Sequence, residues 1–161
     1  MEYGFSQLTN LKRLIVNSTQ KDYWKKLQAL ISDLNLSNDI KFADFREDVP
    51  ETLSCMDVFV LSSVAEACPI SVLEAMAIKV PIVATNVGCV SEQIIAGKTG
   101  IIVGPKNPEA IASGVLRLLK TSHREKDKMV TEGRKRAEEI FALDKIADNH
   151  RKIYESMMTA S

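Results

Sequence analysis

The chain has 161 residues, 45% of them apolar and 26% charged, which suits one globular domain with a real core. Its 21 basic and 21 acidic side chains cancel, which removes the electrostatic warrant for nucleic acid or an anionic membrane as a bulk partner. No signal-type segment opens the sequence, and no uncharged apolar run reaches the roughly 18 residues of a membrane-spanning helix.

Residues 11–17, LKRLIVN, form a short apolar run ending in polar residues and read as a strand. Residues 22–35 place Trp24, Leu27, Leu30 or Ile31, and Leu34 on one helical face. Residues 39–45 read as a second short strand. Residues 47–56 read as a short helix with Pro50 in its first turn, where proline is tolerated. DVFVLSS, residues 57–63, is almost continuously apolar, the pattern of a strand buried on both faces.

The alternation continues. Residues 71–78 read as a helix, 80–85 as a strand, 90–97 as a short helix and 99–104 as a strand. In residues 107–120, Asn107 is a natural cap and Pro108 suits the first helical position. Glu109 near the start, with Arg117 and Lys120 near the end, matches the helix dipole. Two helices follow, over 123–140 and 143–158. In the last, Ile146, His150, Ile153 and Met157 share a face that is expected to be exposed and to favour self-association.

Strands alternating with helices predict an α/β fold: a Rossmann-like, open parallel sheet with helices on both faces, in a single domain. Ligands in such folds sit beyond the carboxyl ends of the strands, at a switch in strand order. The loops to search are therefore 17–20, 44–48, 62–71, 85–91 and 104–107.

The third of these loops carries Glu66, and the helix after it carries Glu74, with seven residues between them. Ser71 and Glu74 have the Ser-x-x-Glu spacing of a capping box, while a carboxylate at position 74 also suits a vicinal diol. Glu66 is either a solvated loop acid or an acid on the rim of a crevice. Small neighbours at Ala65, Ala67 and Cys68 let backbone amides approach a ligand, and the helix start supplies further donors for an anion. Cys55, Cys68 and Cys89 have no zinc-type spacing and are expected as small core residues in a reducing compartment. His123 reads as part of a solvated helix start, His150 has no partner spacing that would make it a general base, and Trp24 reads as a core aromatic.

The stretch from Asp57 to Val103, with its Glu-x7-Glu pair, the Ala-Met-Ala after it, Gly88, Glu92 and Gly97-x-x-Gly100, resembles the donor-binding half of retaining glycosyltransferases of the group 1 family. The resemblance runs from about residue 11 to about residue 119. It implies a two-domain GT-B architecture and transfer of a hexose from a UDP-, GDP- or ADP-linked sugar with retention, with no separate cofactor and no metal. It assigns Glu74 to the ribose hydroxyls and Glu66, as the catalytic residue, to the side of the transferred sugar. The backbone of Ile70, Ser71 and Val72 would face the diphosphate and ribose. Asp44, Phe45 and Arg46 would lie near the nucleobase, and Gly88 at the same crevice. Glu92 is given a capping or structural role.

The chain also departs from the family. Asp44 and Lys79 stand where glycine is usual, and residues 17–20 replace a Gly-rich turn. The family's basic diphosphate-gripping pair and its acceptor domain have no counterpart here. The expectation is therefore a C-terminal donor domain without its first strand, with residues 1–10 disordered or foreign to it. Its partners would be a nucleotide-sugar and a separate N-terminal acceptor domain, through which alone it would meet a membrane; nucleic acid is not expected. The implied location is cytoplasmic. Two other readings stand beside this one: a catalytically silent module that binds a protein partner, which the altered loops favour, and a sugar-nucleotide epimerase domain.

Overall fold

A computed structural model describes residues 21–43 and 46–159. The expected strand at 11–17, the altered loop at 17–20 and the leading segment 1–10 lie outside the described residues, as do Asp44 and Phe45. The chain divides into two compact units, Met1–Val49 and Pro50–Ser161.

In the first unit, α1 (Lys21–Asp33) forms where the apolar periodicity places it. Ile31 is buried, whereas Leu30 and Leu34 are exposed, which resolves the ambiguous face. Trp24 meets Phe42 edge-on at 4.4 Å between ring centres. The helix is closed by Asn35 at φ 55°, with Leu36 N–H donating to Ile31 O and Asn35 N–H to Ser32 O. Asparagine tolerates this left-handed conformation better than most side chains. The strand expected at 39–45 is not formed among its described residues. Asp39 and Ile40 both donate to Leu36 O, so the chain turns there.

The second unit holds the sheet. α2 (Val49–Ser54) leads to β1 (Phe59–Leu61), α3 (Ile70–Ala77), β2 (Ile82–Thr85), α4 (Val90–Gln93), β3 (Ile101–Val103), α5 (Pro108–Lys120), α6 (His123–Ile140) and α7 (Leu143–Thr159). The described strands form one parallel sheet in the order β1-β2-β3, with Leu61 opposite Ala84 and Thr85 opposite Val103. This is a Rossmann-like α/β sheet flanked by helices, shorter than a full Rossmann fold. No reversal of strand order falls within it.

Burial corrects one expectation. The strand buried on both faces is β2, in which every residue is buried, while β1 is half-buried. The central position in the sheet decides this, more than the apolar character of either strand. Helix α5 lies close against β2 because Gly114 has no side chain; a Cβ there would stand 3.0 Å from Val83 Cγ1.

The caps follow local chemistry. Asn107 accepts from the Ala110 amide at 2.9 Å. Ser122 and Glu125 form a reciprocal capping box at the start of α6. Lys79 ends α3 at φ 61°, with Lys79 N–H on Met76 O and Val80 N–H on Ala75 O, the paired bonds of a Schellman closure. Along α7, Ile153 and Met157 are exposed and no residue is buried, as the sequence predicts.

Candidate functional site

Strands β1 and β2 are parallel neighbours, so their carboxyl ends release two loops side by side. The first, 62–69, carries Glu66; the second, 86–89, carries Gly88. Thr85, the last residue of β2, is fully buried and donates from Oγ1 to Ser63 O at 2.6 Å. Ser63 Oγ in turn donates to Glu66 Oε1 at 2.6 Å. A buried hydroxyl thus fixes the loop backbone, and the next hydroxyl orients the exposed carboxylate. A carboxylate has about four acceptor positions, so most of its capacity stays available.

The second loop is pressed onto the first. Gly88 has φ +53°, and a Cβ there would lie 2.5 Å from Glu66 O and closer still to Ala67 O. Only glycine meets both demands. Cys89 N–H donates to Ala67 O at 2.9 Å. Gln93, with no exposed surface, donates from Nε2 to Pro69 O at 3.1 Å and approaches Cys68 Sγ at 3.4 Å.

Cys68 and Cys89 are joined as a disulfide, with their Cα atoms 5.1 Å apart. This overturns the expectation of three reduced core cysteines. The two sulfurs lie in loops at adjacent strand ends, a proximity that their spacing of 21 residues does not reveal. The third, Cys55, is exposed and free.

Helix α3 corrects a second expectation. It begins at Ile70, and Pro69 occupies the cap position with no side-chain capping bond. Ser71 is therefore already inside the helix and cannot cap it, so the Ser71–Glu74 box does not form. Proline at φ −70° sets up the first turn one residue early. Val72 N–H donates to Pro69 O at 3.3 Å, and the Val72 side chain is fully buried. The amides of Ile70 and Ser71 precede the first intrahelical bond.

Glu74 is exposed, and no hydrogen bond or ion pair among the described residues engages its carboxylate. Four residues apart, Ile70 and Glu74 share one helical face. Ile70 is itself 69% exposed. The helix thus presents a bare apolar side chain beside a free carboxylate.

Arg46, expected near a base, forms an ion pair with Asp48, donating from Nε to Oδ1 at 2.7 Å. The pair raises the arginine's affinity for its proton and holds the Asp48 carboxyl below the usual carboxylate range. Glu92 makes no side-chain cap for α4. Its carbonyl and that of Gln93 accept from Arg136 at 2.6 and 2.9 Å, so the structural role lies in its backbone. Thr85, Gln93 and Arg136, which organise this region, carry no local signal in the sequence beyond helical or strand periodicity. Among the described residues no cluster of metal-ligating side chains occurs, and no helix is long and apolar enough to cross a membrane.

Residues 5–136 match the family described as "Glycosyl transferases group 1". This chain belongs to the group 1 glycosyltransferase family. The match reaches further in both directions than the resemblance legible from motifs, and α7 lies beyond it. The group 1 domain is of the GT-B type.

Among relatives, an uncharacterized glycosyltransferase of Methanocaldococcus jannaschii, MJ1607, is 33% identical over 152 residues, covering 92% of this chain and 38% of its own length. The N-acetyl-alpha-D-glucosaminyl L-malate synthase of Bacillus anthracis is 30% identical over 78% of this chain and 32% of its own. The chain thus spans about a third of the curated relatives it matches. A glycosyltransferase from Rickettsia africae shares the fold with a TM-score of 0.85 at 24% identity, covering 97% of this chain and 43% of that one. Anabaena Alr3699/HepE, solved with UDP and glucose, has a TM-score of 0.83 at 23% identity, covering 89% and 40%. The C-terminal domain of the group 1 protein LpcC from Francisella tularensis has a TM-score of 0.70 at 25% identity, covering 79% and 66%.

Proposed function

We propose that this chain is the C-terminal, donor-binding domain of a hexosyltransferase. Its substrate is a UDP-, GDP- or ADP-linked sugar, and transfer retains the anomeric configuration. One observation carries the reading: Glu74 stands exposed and unengaged on the same face of α3 as Ile70. A carboxylate there accepts two hydrogen bonds from the vicinal hydroxyls of a ribose while the apolar side chain covers the pentose. The structure of Alr3699/HepE with UDP and glucose supports a nucleotide-sugar as the ligand class, and the LpcC domain supports a C-terminal position.

In this reading the diphosphate lies at the start of α3. The amides of Ile70 and Ser71 meet the charge that develops as the sugar departs, together with the positive end of the helix. Glu66, oriented by Ser63, lies beside the transferred sugar, where a carboxylate stabilises an oxocarbenium-like centre. Gly88 lets the second loop close against it. Asp44, Phe45 and Arg46 remain proposed neighbours of the base. The acceptor is held by a separate N-terminal domain, because transfer requires both reactants to be positioned together. The cytoplasm is the proposed location, where an activated sugar is the substrate and any membrane contact comes through the acceptor half.

Calorimetric titration with UDP, GDP and ADP tests the donor site directly. Saturable binding of one nucleotide is expected, weakened about tenfold or more by Glu74→Ala with the circular dichroism spectrum unchanged. A folded chain that binds none of the three at millimolar concentration overturns the reading. Retention is tested on the protein joined to its acceptor half, by the anomeric configuration of the product.

A further inference from the structure

We propose that Cys68 and Cys89 form a reversible redox site for small-molecule thiols and disulfides, and that it sets how firmly the Glu66 loop is held against Gly88. The pair lies between the two loops at the carboxyl ends of β1 and β2, and its 5.1 Å Cα separation is within disulfide reach. Cys68 is two residues beyond Glu66, and Cys89 directly follows Gly88.

The sulfurs are held together by more than their own bond. Cys89 N–H on Ala67 O, Gln93 Nε2 on Pro69 O and Thr85 Oγ1 on Ser63 O all join the same two loops. After reduction these bonds keep the thiols apposed, so closure is intramolecular and readily repeated. Gln93 Nε2 also lies 3.4 Å from Cys68 Sγ, a further contact between the two loops. Cys68 is exposed and Cys89 half-buried. A small thiol therefore reaches Cys68 first, and exposed disulfides are the labile ones.

The exchange balances without a metal or flavin. An external thiolate attacks Cys68 Sγ, the S–S bond breaks, and Cys89 leaves with the electron pair and takes up a proton. A second external thiolate attacks the outer sulfur of the mixed disulfide, releasing Cys68 as a thiol. One protein disulfide and two external thiols become two protein thiols and one external disulfide. Oxidation is the reverse, with a small-molecule disulfide such as oxidised glutathione as oxidant.

Reduction removes the covalent link from segment 64–68 and leaves the weaker Cys89 N–H to Ala67 O bond, while Gln93 still holds Pro69 and the start of α3. Any effect on donor binding rests on the function proposed above; the redox chemistry does not. The test uses the full chain with Cys55→Ser, which removes the exposed third thiol. Samples equilibrated across reduced and oxidised glutathione are alkylated and weighed by mass spectrometry. Their amide exchange over 62–70 is measured, and UDP is titrated into each form.

Cys68 and Cys89 are expected to titrate together as one two-electron step. Reduction is expected to speed loop exchange about tenfold and to weaken UDP severalfold, and Cys68→Ser and Cys89→Ser are expected to reproduce the reduced form. Cysteines that never pair in the folded chain, or loop exchange that is the same in both forms, overturn the proposal. UDP bound equally by both forms removes the coupling to the donor. Loop exchange that responds while UDP binds neither form rejects the donor reading and supports the redox site.

Discussion

The backbone of Gly88 lies so close to Glu66 that a side-chain carbon there would stand 2.5 Å from the Glu66 carbonyl oxygen. Gly88→Ala must therefore move one of two stapled loops, and it must also hold an L-residue at a left-handed φ. The expected loss is about 2–5 kcal/mol, read from urea denaturation. Nucleotide affinity should fall with it, because the displaced loop carries Glu66. A shift in midpoint below that of an ordinary surface change would show that the loops do not touch as described.

Three Ser-x-x-Glu sequences occur, at 63–66, 71–74 and 122–125, and only the last is a box. Ser122 Oγ accepts from the Glu125 amide and the Ser122 amide donates to the Glu125 carboxylate in return, whereas Ser71 lies inside α3. Ser122→Ala is expected to cost about 1 kcal/mol, and Ser71→Ala to stay within about 0.5 kcal/mol. Equal costs in thermal or urea unfolding would contradict the two helix starts.

The same box has a pH signature. The Ser122 hydroxyl and amide hold the Glu125 carboxyl below its ordinary value. A carboxyl depressed in the folded state contributes stability that is fully present above its unfolded value. That contribution fades as pH falls through the folded one. Acid titration of the Glu125 carboxyl by NMR should give a midpoint below that of ordinary glutamates, rising towards it in Ser122→Ala.

Lys79 occupies a left-handed position that costs an L-residue about 1–2 kcal/mol. Its Nζ lies 3.3 Å from Thr131 Oγ1, an exposed contact that offsets little. Lys79→Gly removes the strain while adding freedom to the unfolded chain. The net expectation is a gain of about 0.5–1 kcal/mol, measured as a higher denaturation midpoint. A loss would mean that the lysine contact outweighs the backbone term.

Arg136 reaches from α6 to the carbonyls of Glu92 and Gln93 that close α4, and its guanidinium lies 5.8 Å from the centre of the Phe141 ring. Arg136→Ala is expected to cost about 1.5–3 kcal/mol. Arg136→Lys should recover less than half of that, since an ammonium cannot fork across two carbonyls while covering a ring. Full recovery by lysine would mean that charge alone mattered.

The helix over Pro108–Lys120 was legible from its ends: Asn107 caps it, Pro108 starts it, and Arg117 and Lys120 close it. These features depend on neighbours within a few positions, which sequence spacing records. The strand expected at 39–45 is not formed among its described residues, where Asp39 and Ile40 turn back onto Leu36 O.

The candidate site divides in the same way. Glu66, Glu74 and Gly88 stood out by type and spacing, and the family pattern joined them. Whether Glu74 would turn back on its own helix was open until Pro69 proved to be the cap. The Cys68–Cys89 bond and the links from Thr85 to Ser63, Gln93 to Pro69 and Arg136 to Glu92 had no local signature.

The sequence by itself determined the alternation of helix and strand from β1 onward, the Asn107 cap and the residue types at the crevice, because periodicity and short-range bonding act within a turn or two of chain. Only the tertiary structure decided which strand is fully buried, which cysteines meet and which carboxylate stays free. Those outcomes arise where parallel pairing of β1 with β2 sets two distant loops side by side, and backbone spacing then selects the groups that touch.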